Sequence, residues 1–546
     1  MTVDDGAHLA ALFERQVRTR PDAVACVTGG RTPRAVTFAE LAAVIDRTAA
    51  GLRTAGVRPG TRASVMVPPG IEMVALVHAL LRMGAVPVLV DRALPQAALR
   101  GCLAEAAPEV FIGVPLAQVA RVALGWARQR VRTTVTVGPR RLWLGRTVHR
   151  LRADAPPDAP AGPRPSLDDV ALIAYTSGST GAPKGVPLRH GHLLAQVRML
   201  ERARPLEPGT RVLSTFPPFA VAATVLGACA VFPAADARRP SVLVSDARRF
   251  GVTALFAPPA VLDRVARYCQ PRGHLLDPVR TVFTAGAPLS HAVLERTRAC
   301  LPPDSDLYSA YGATECMLVS AIEGRDLAVT GAATADGAGT CLGAPLPGQL
   351  VRIITATDGP IRKWTDDLLV RPGEIGEITV TGPTVADPYL DRPGATARAR
   401  IADGDRAVHR TGDLGRVDAL GRLWFAGRAA ERVGTPGGDL CTGHVEPIFD
   451  TLRGVHRTAL VGVGRPSDRR PVLIVEPEPG TSRAERARIR DDALALARRR
   501  PGTAAIRTVL FHYRFPVDVR HDTKIKRDEL AAWAEHKLSA DPDGTR

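Results

Sequence analysis

One stretch of eleven residues, Tyr175-Thr-Ser-Gly-Ser-Thr-Gly-Ala-Pro-Lys-Gly185, constrains this chain more than any other part of it. It follows the apolar run Ala171-Leu-Ile-Ala174, so a strand is expected to enter a flexible loop here. The stretch carries four Ser/Thr hydroxyls, three glycines and one lysine. Glycines let backbone N–H groups converge on an anion, hydroxyls add donors, and a lysine supplies a mobile positive charge. Such a loop suits a polyphosphate and implies chemistry on ATP. Its spacing is not the Gly-x4-Gly-Lys-Ser/Thr of a P-loop, and taken alone the composition also fits a surface turn.

The flanking sequence alternates between strand and helix patterns. Residues 7 to 54 read as two helices broken near Gly29-Gly30, with an amphipathic face over Phe38 to Ile45. Ser64 to Val67 and Val86 to Val90 read as strands around a helix from Met73 to Met83, which suggests βαβ units on a mostly parallel sheet. Pro- and Gly-rich residues 155 to 165 form a linker before the loop. Beyond it, Val212 to Phe216, Ala254 to Phe256 and Thr281 to Thr284 repeat the pattern, and Val351 to Ile354 and Glu377 to Val380 suggest a smaller β-rich region. A last segment has its own strands at Thr458 to Val461, Val472 to Val475 and Thr508 to Phe511, and a helix from Arg527 to His536. At 546 residues the chain exceeds one core, and a boundary is expected near residues 427 to 432.

Composition excludes several function classes. No window of eighteen apolar residues predicts a membrane span, and the start Met1-Thr-Val-Asp-Asp5 lacks the basic and apolar parts of a signal peptide. Eight scattered cysteines without a CxxC pair suggest reduced thiols and a cytoplasmic location. The formal charge of +17 is nearly all arginine, because the chain has five lysines. Basic residues are dispersed and aromatics make up 4%, so nucleic acid is not the expected partner.

Later motifs join the loop in a common resemblance. Ser309-Ala-Tyr-Gly-Ala-Thr-Glu315, Thr284-Ala-Gly-Ala-Pro288, Thr411-Gly-Asp413, Gly427-Arg428 and Lys524-Ile-Lys-Arg527 resemble, with the loop, the signatures of the adenylate-forming superfamily of acyl-CoA synthetases, luciferases and adenylation domains. The resemblance implies an α/β fold: a large N-terminal domain (1–427) with stacked βαβ subdomains and a small β-region, a hinge (428–432), and a small mobile α+β C-terminal domain (433–546). It places Thr176, Ser177, Gly178, Ser179, Thr180 and Gly181 around phosphates, with Lys184 catalytic. Tyr311 and Gly312, with Gly286, Ala287 and Pro288, are expected beside the adenine. Thr314 is expected to donate to the α-phosphate, Glu315 and Thr176 to hold Mg²⁺, and Asp413 and Arg428 to hold the ribose. Lys524 takes the catalytic position; Lys526 competes by type, and a strand would put both on one face, so only the signature separates them.

A narrower resemblance bears on the second half of the reaction. Phe216-Pro-Pro-Phe-Ala220 lacks the histidine of many thioester-forming relatives, and Val433-Gly-Thr-Pro-Gly437 departs from their hinge pattern. Phe515-Pro-Val-Asp-Val-Arg-His-Asp-Thr-Lys-Ile525, His409 to Gly415 and Gly421 to Arg428 are similar to the OleC-type β-lactone synthetases of bacterial olefin pathways. That resemblance implies ATP and Mg²⁺, a 2-alkyl-3-hydroxy fatty acid as substrate, and a thiolase, a reductase and a β-lactone decarboxylase as pathway partners. A long-chain fatty acyl-CoA or acyl-AMP ligase is the alternative, and a non-enzymatic assembly partner a third. His190, His192 and His521 are candidates, by chemical type alone, for a base at the substrate hydroxyl, and apolar runs at 216–226 and 255–262 for an alkyl pocket.

Overall fold

The alternating patterns fold into two large, mostly parallel sheets. The computed structural model describes residues 8–30, 32–92, 94–128, 130–139, 145–156, 162, 164–176, 182–203, 206–233, 236, 239–465, 469–518 and 524–540. One sheet has eight strands, in the order Ser320–Glu323, Asp306–Tyr311, Thr281–Ala285, Ala254–Phe256, Arg211–Ser214, Cys229–Phe232, Val24–Thr28 and Arg34–Thr37, with only the two edge strands antiparallel to their neighbours. The other has seven, and at its edge Val170–Tyr175 pairs antiparallel with Gly185–Arg189.

Helices Phe38–Thr54 and Ile71–Arg82 lie between these sheets. Their buried side chains share one core with Ala25, Cys26 and Phe232 of the first sheet and Ala63, Val65 and Ile112 of the second. Ile71–Arg82 is apolar almost all round and almost wholly buried, as a helix packed on both sides must be. The chain between residues 7 and 54 departs from the expected helix pair. The break holds strands Val24–Thr28 and Arg34–Thr37, and the first joins the sheet beside Cys229–Phe232, a distant pairing that no local pattern announces.

The smaller β-region is an antiparallel six-stranded sheet in which Arg406–Val417 pairs with Gly376–Thr381 and Leu423–Arg428. After it come a short hairpin, Val433–Thr435 with Gly438–Leu440, and a three-stranded sheet of Val455–Val463, Arg470–Pro477 and Thr508–Phe511. Side-chain alternation gives this last sheet two cores. Val461, Val472 and Ile474 pack on Phe515 and Leu530, whereas Leu460, Leu473 and Val475 pack toward helices Thr442–Phe449 and Arg483–Arg499. Arg483–Arg499 begins with a capping box between Ser482 and Glu485. Among the described residues, no helix is long and apolar enough to cross a membrane. All eight cysteines are free, as expected.

Helix Thr442–Phe449 meets strand Leu423–Arg428 through two glycines. Gly427 has φ +128°, and a Cβ there would sit 2.6 Å from Thr442 Oγ1; one on Gly443 would sit 2.7 Å from the Ala426 carbonyl carbon. Gly427→Ala therefore combines a strained backbone with a clash, and is expected to destabilise the protein by about 1–3 kcal/mol. A denaturant titration checks this, and an unchanged midpoint would contradict the packing.

Candidate active site

Strands Thr281–Ala285 and Asp306–Tyr311 end side by side, with Ala285 opposite Ala310. The segments after them leave from the same sheet edge, where open parallel sheets bind ligands. Gly286, Ala287 and Pro288 from one, and Tyr311, Gly312, Thr314 and Glu315 from the other, line a single cavity of about 2370 Å³. Gly286 has φ +96°, a conformation that favours glycine where the chain bends away from its strand.

The expected phosphate loop enters from the neighbouring sheet. Tyr175 and Gly185 are paired, Thr176 N–H donates to the Lys184 carbonyl at 3.1 Å, and Lys184 N–H donates to Thr176 Oγ1 at 3.2 Å. The loop is thus closed at its base. Ser177, Gly178, Ser179, Thr180 and Gly181 lie outside the described residues, while Thr176 and Lys184 line the cavity. Lys184 Nζ stands 4.9 Å from the centre of the Tyr389 ring, and the Tyr389 hydroxyl donates to Glu315 Oε1 at 2.7 Å. Tyr389, which no motif singled out, thereby connects the loop lysine to the expected metal carboxylate. His409 also lines this wall; burial pushes its imidazole down to about 4, so it is neutral near pH 7.

Asp413 is buried at the cavity wall, 7% exposed. Its Oδ2 accepts the Tyr311 hydroxyl at 2.8 Å, tying the six-stranded sheet to the eight-stranded one. Oδ1 has no hydrogen bond among the described residues; it lies 3.4 Å from Nε of Arg428, its neighbour on the adjacent strand. Burial raises the Asp413 pKa, and Arg428, Tyr311 and Lys524 oppose the rise. A buried carboxylate oxygen without a donor suits sugar hydroxyls. The metal expectation passes a similar test. Among the described residues, no group of three or more His, Cys, Asp and Glu side chains could hold a metal ion. Mg²⁺ bound mainly through phosphate oxygens needs only one or two carboxylates, and Glu315 offers one in the cavity with the Thr176 hydroxyl available as well.

Lys524 also lines the cavity, together with Ile525 and Arg527. Ile525 bridges Val517, and Asp518 N–H donates to the Lys524 carbonyl at 2.9 Å. Arg527 then anchors the segment, reaching Glu431 at 2.8 Å and Glu446 at 2.7 Å. Lys526 instead pairs with Glu529 at 2.7 Å on the exposed side and is not among the lining residues, so the face shared by a strand does not arise; a helix begins at Arg527. Arg520, His521 and Thr523 lie outside the described residues.

The expected apolar runs divide. Phe216-Pro-Pro-Phe-Ala220 enters helix Pro217–Val225, whose first turn accepts both prolines without losing a hydrogen bond. Phe219, Val221, Ala222 and Val225 line the cavity with Val77 and Val197, and Phe219 stacks on Phe256 at 4.5 Å between ring centres. Of the second run, Phe256, Pro258, Pro259 and Ala260 also line the cavity, whereas Leu255, Val261 and Leu262 belong to the core. Neither His190 nor His192 lines the cavity: His190 is buried, and His192 Nδ1 accepts the Arg189 N–H at 3.1 Å.

Comparison with known proteins shows the family and the fold. Residues 13–390 match the family model described as AMP-binding enzyme. The chain is 46% identical to an olefin β-lactone synthetase of Xanthomonas campestris pv. campestris, over 96% of this chain and 97% of that protein. It is 44% identical to one of Stenotrophomonas maltophilia, over 97% of this chain and 98% of that protein. The solved structure of an amide bond synthetase from Marinactinospora thermotolerans superposes with a TM-score of 0.81 at 22% identity, covering 96% of this chain and 99% of the other.

Two substitutions probe the site. Asp413→Asn is expected to weaken ATP binding about 10- to 100-fold, because hydrogen bonds to a charged group contribute about 1.5–3 kcal/mol. Titration calorimetry reads this, and unchanged affinity would remove Asp413 from the nucleotide site. Lys524→Ala is expected to slow adenylate formation by on the order of 100- to 1000-fold while leaving the melting temperature unchanged. Near-normal adenylation in a quenched assay would contradict it.

Proposed function

The chain belongs to the AMP-binding enzyme family, and on that premise we propose that it is an ATP-dependent β-lactone synthetase acting on a 2-alkyl-3-hydroxy fatty acid. It is an AMP-forming ligase. A carboxylate is a poor electrophile, and closing a ring directly from it would expel hydroxide. In the first step a carboxylate oxygen attacks the α-phosphorus of ATP, the bond to diphosphate breaks, and an acyl-adenylate forms. Lys524 and Lys184 neutralise oxygen charge as it develops, and Thr314 donates to the α-phosphate. Asp413 and Arg428 hold the ribose, and Tyr311 with Gly286, Ala287 and Pro288 flanks the base. Glu315 and Thr176 would hold Mg²⁺, which neutralises phosphate charge when bound.

In the second step the C3 hydroxyl oxygen bonds to the activated carbonyl carbon. The carbonyl–phosphate bond breaks, AMP leaves with the electron pair, and the hydroxyl proton passes to AMP or solvent. Because the nucleophile belongs to the substrate, the step is intramolecular, and this proximity offsets part of the ring strain. The observation that carries the reading is the meeting of Lys184, Glu315, Asp413 and Lys524 with an apolar wall around Phe219 in one cavity. A cytoplasmic enzyme between a reductase and a β-lactone decarboxylase is the setting that the resemblance implies.

Incubation with ATP, Mg²⁺ and a synthetic 2-alkyl-3-hydroxy acid is expected to give β-lactone, AMP and diphosphate without coenzyme A, as read by mass spectrometry. A strict demand for coenzyme A, with a thioester as product, would overturn the proposal in favour of an acyl-CoA ligase.

A further inference from the structure

A polar chain whose members Asp263, Arg296, His456 and Glu478 line the same cavity joins the eight-stranded sheet's helices to the three-stranded sheet. Arg296 Nε donates to Asp263 Oδ1 at 2.8 Å, and Arg267 Nε donates to Asp263 Oδ2 at 2.8 Å. The two terminal nitrogens of Arg267 then reach the two oxygens of Glu478 at 3.0 and 2.9 Å. One of them also lies 3.1 Å from His456 Nδ1. A guanidinium only donates, so Nδ1 accepts and this imidazole is neutral. Asp263 and Arg267 sit on helix Pro259–Cys269 and Arg296 on His291–Arg298, packed on the eight-stranded sheet. His456 lies on strand Val455–Val463, and Glu478 directly follows strand Arg470–Pro477.

The same strand leads to the expected catalytic lysine. Two residues before Glu478, Glu476 Oε2 accepts the Phe515 N–H at 3.1 Å and Nε of Arg457 at 2.7 Å. From Phe515 the chain passes to Pro516, whose carbonyl takes the Lys526 N–H at 2.9 Å, and to the Val517–Ile525 bridge beside Lys524. These contacts form a contiguous path from the strand before Glu478 to the Lys524 segment.

We infer that the bidentate Arg267–Glu478 pair is a latch that positions Lys524 in the cavity, and that the latch stays engaged through both half-reactions. The inference rests on the proposed lactone synthesis. There, the second nucleophile already lies in the site with the adenylate. No third molecule has to be admitted between the steps, so entry of a second substrate does not require the Lys524 segment to be withdrawn. Arg267 and Glu478 are positioning residues: they act through Lys524 and touch no reacting atom.

The test compares Arg267→Gln, Glu478→Gln, the double variant and Arg267→Lys in single-turnover quench experiments that count acyl-adenylate, diphosphate and lactone separately. Each Gln variant is expected to lose on the order of 10- to 100-fold in adenylation, as a small misplacement of a catalytic group does. The double variant is expected to lose no more than the worse single one, and Arg267→Lys, which keeps the charge but not the fork, less than Arg267→Gln. No variant is expected to accumulate adenylate, and melting temperatures are expected to stay at the wild-type value. Wild-type adenylation in the single variants, or strictly additive losses, would overturn the positioning role. Slower adenylation with faster ring closure would show that the latch must release, and would overturn its engagement through both steps. Failure of the wild-type enzyme to form lactone at all would count against the proposed function instead.

Discussion

The buried Asp413 carboxylate is the charge on which the site's alignment depends. It sits in the six-stranded sheet, accepts a hydrogen bond from Tyr311 at the end of the eight-stranded sheet, and faces Arg428 on its own sheet. A charge taken out of water needs partners, and Asp413 finds one on its neighbouring strand and one on the eight-stranded sheet. Lys524 contributes to the same field from the far end of the chain. The Asp413–Tyr311 hydrogen bond helps set where the turn after strand Asp306–Tyr311 lies relative to strand Leu423–Arg428, together with the Ala386 N–H, which donates to the Glu315 carbonyl at 2.8 Å.

A second alignment reinforces this one. The base of the phosphate loop is closed by Thr176 and Lys184, and Lys184 lies against the Tyr389 ring whose hydroxyl binds Glu315. The seven-stranded sheet therefore reaches Glu315 from one side and the eight-stranded sheet from the other. Arg527, bound between Glu431 and Glu446, fixes the Lys524 segment against the chain that follows strand Leu423–Arg428. These contacts are polar and directional, whereas the apolar wall formed by helix Pro217–Val225 is not. Such a division suits chemistry on a nucleotide held by directional contacts beside an apolar part of the substrate.

Local patterns in the sequence foretold the parallel strands well, because periodicity and turn chemistry are short-range rules. The expectation for Lys524 came from a family signature instead, and the centre of the expected phosphate loop, residues 177–181, lies outside the described residues. Local patterns did not foretell strands Val24–Thr28 and Arg34–Thr37, whose pairing is decided by a distant neighbour. Tyr389 carried no signal, since a lone tyrosine gains meaning only once Lys184 and Glu315 lie on either side of it. Arg527 stood inside a quoted motif, but its role as an anchor depends on Glu431 and Glu446, which no spacing connects to it. Lys524 and Lys526 could not be separated by alternation; the helix that starts at Arg527 breaks the strand periodicity that would have made them equivalent.

The central claim is that the substrate's own carboxylate is transferred onto the α-phosphorus before the ring closes. Substrate carrying ¹⁸O in both carboxylate oxygens tests this most directly, with AMP and lactone analysed by mass spectrometry after turnover. The account requires one labelled oxygen in the phosphate of AMP and one in the lactone carbonyl. AMP free of label would contradict it.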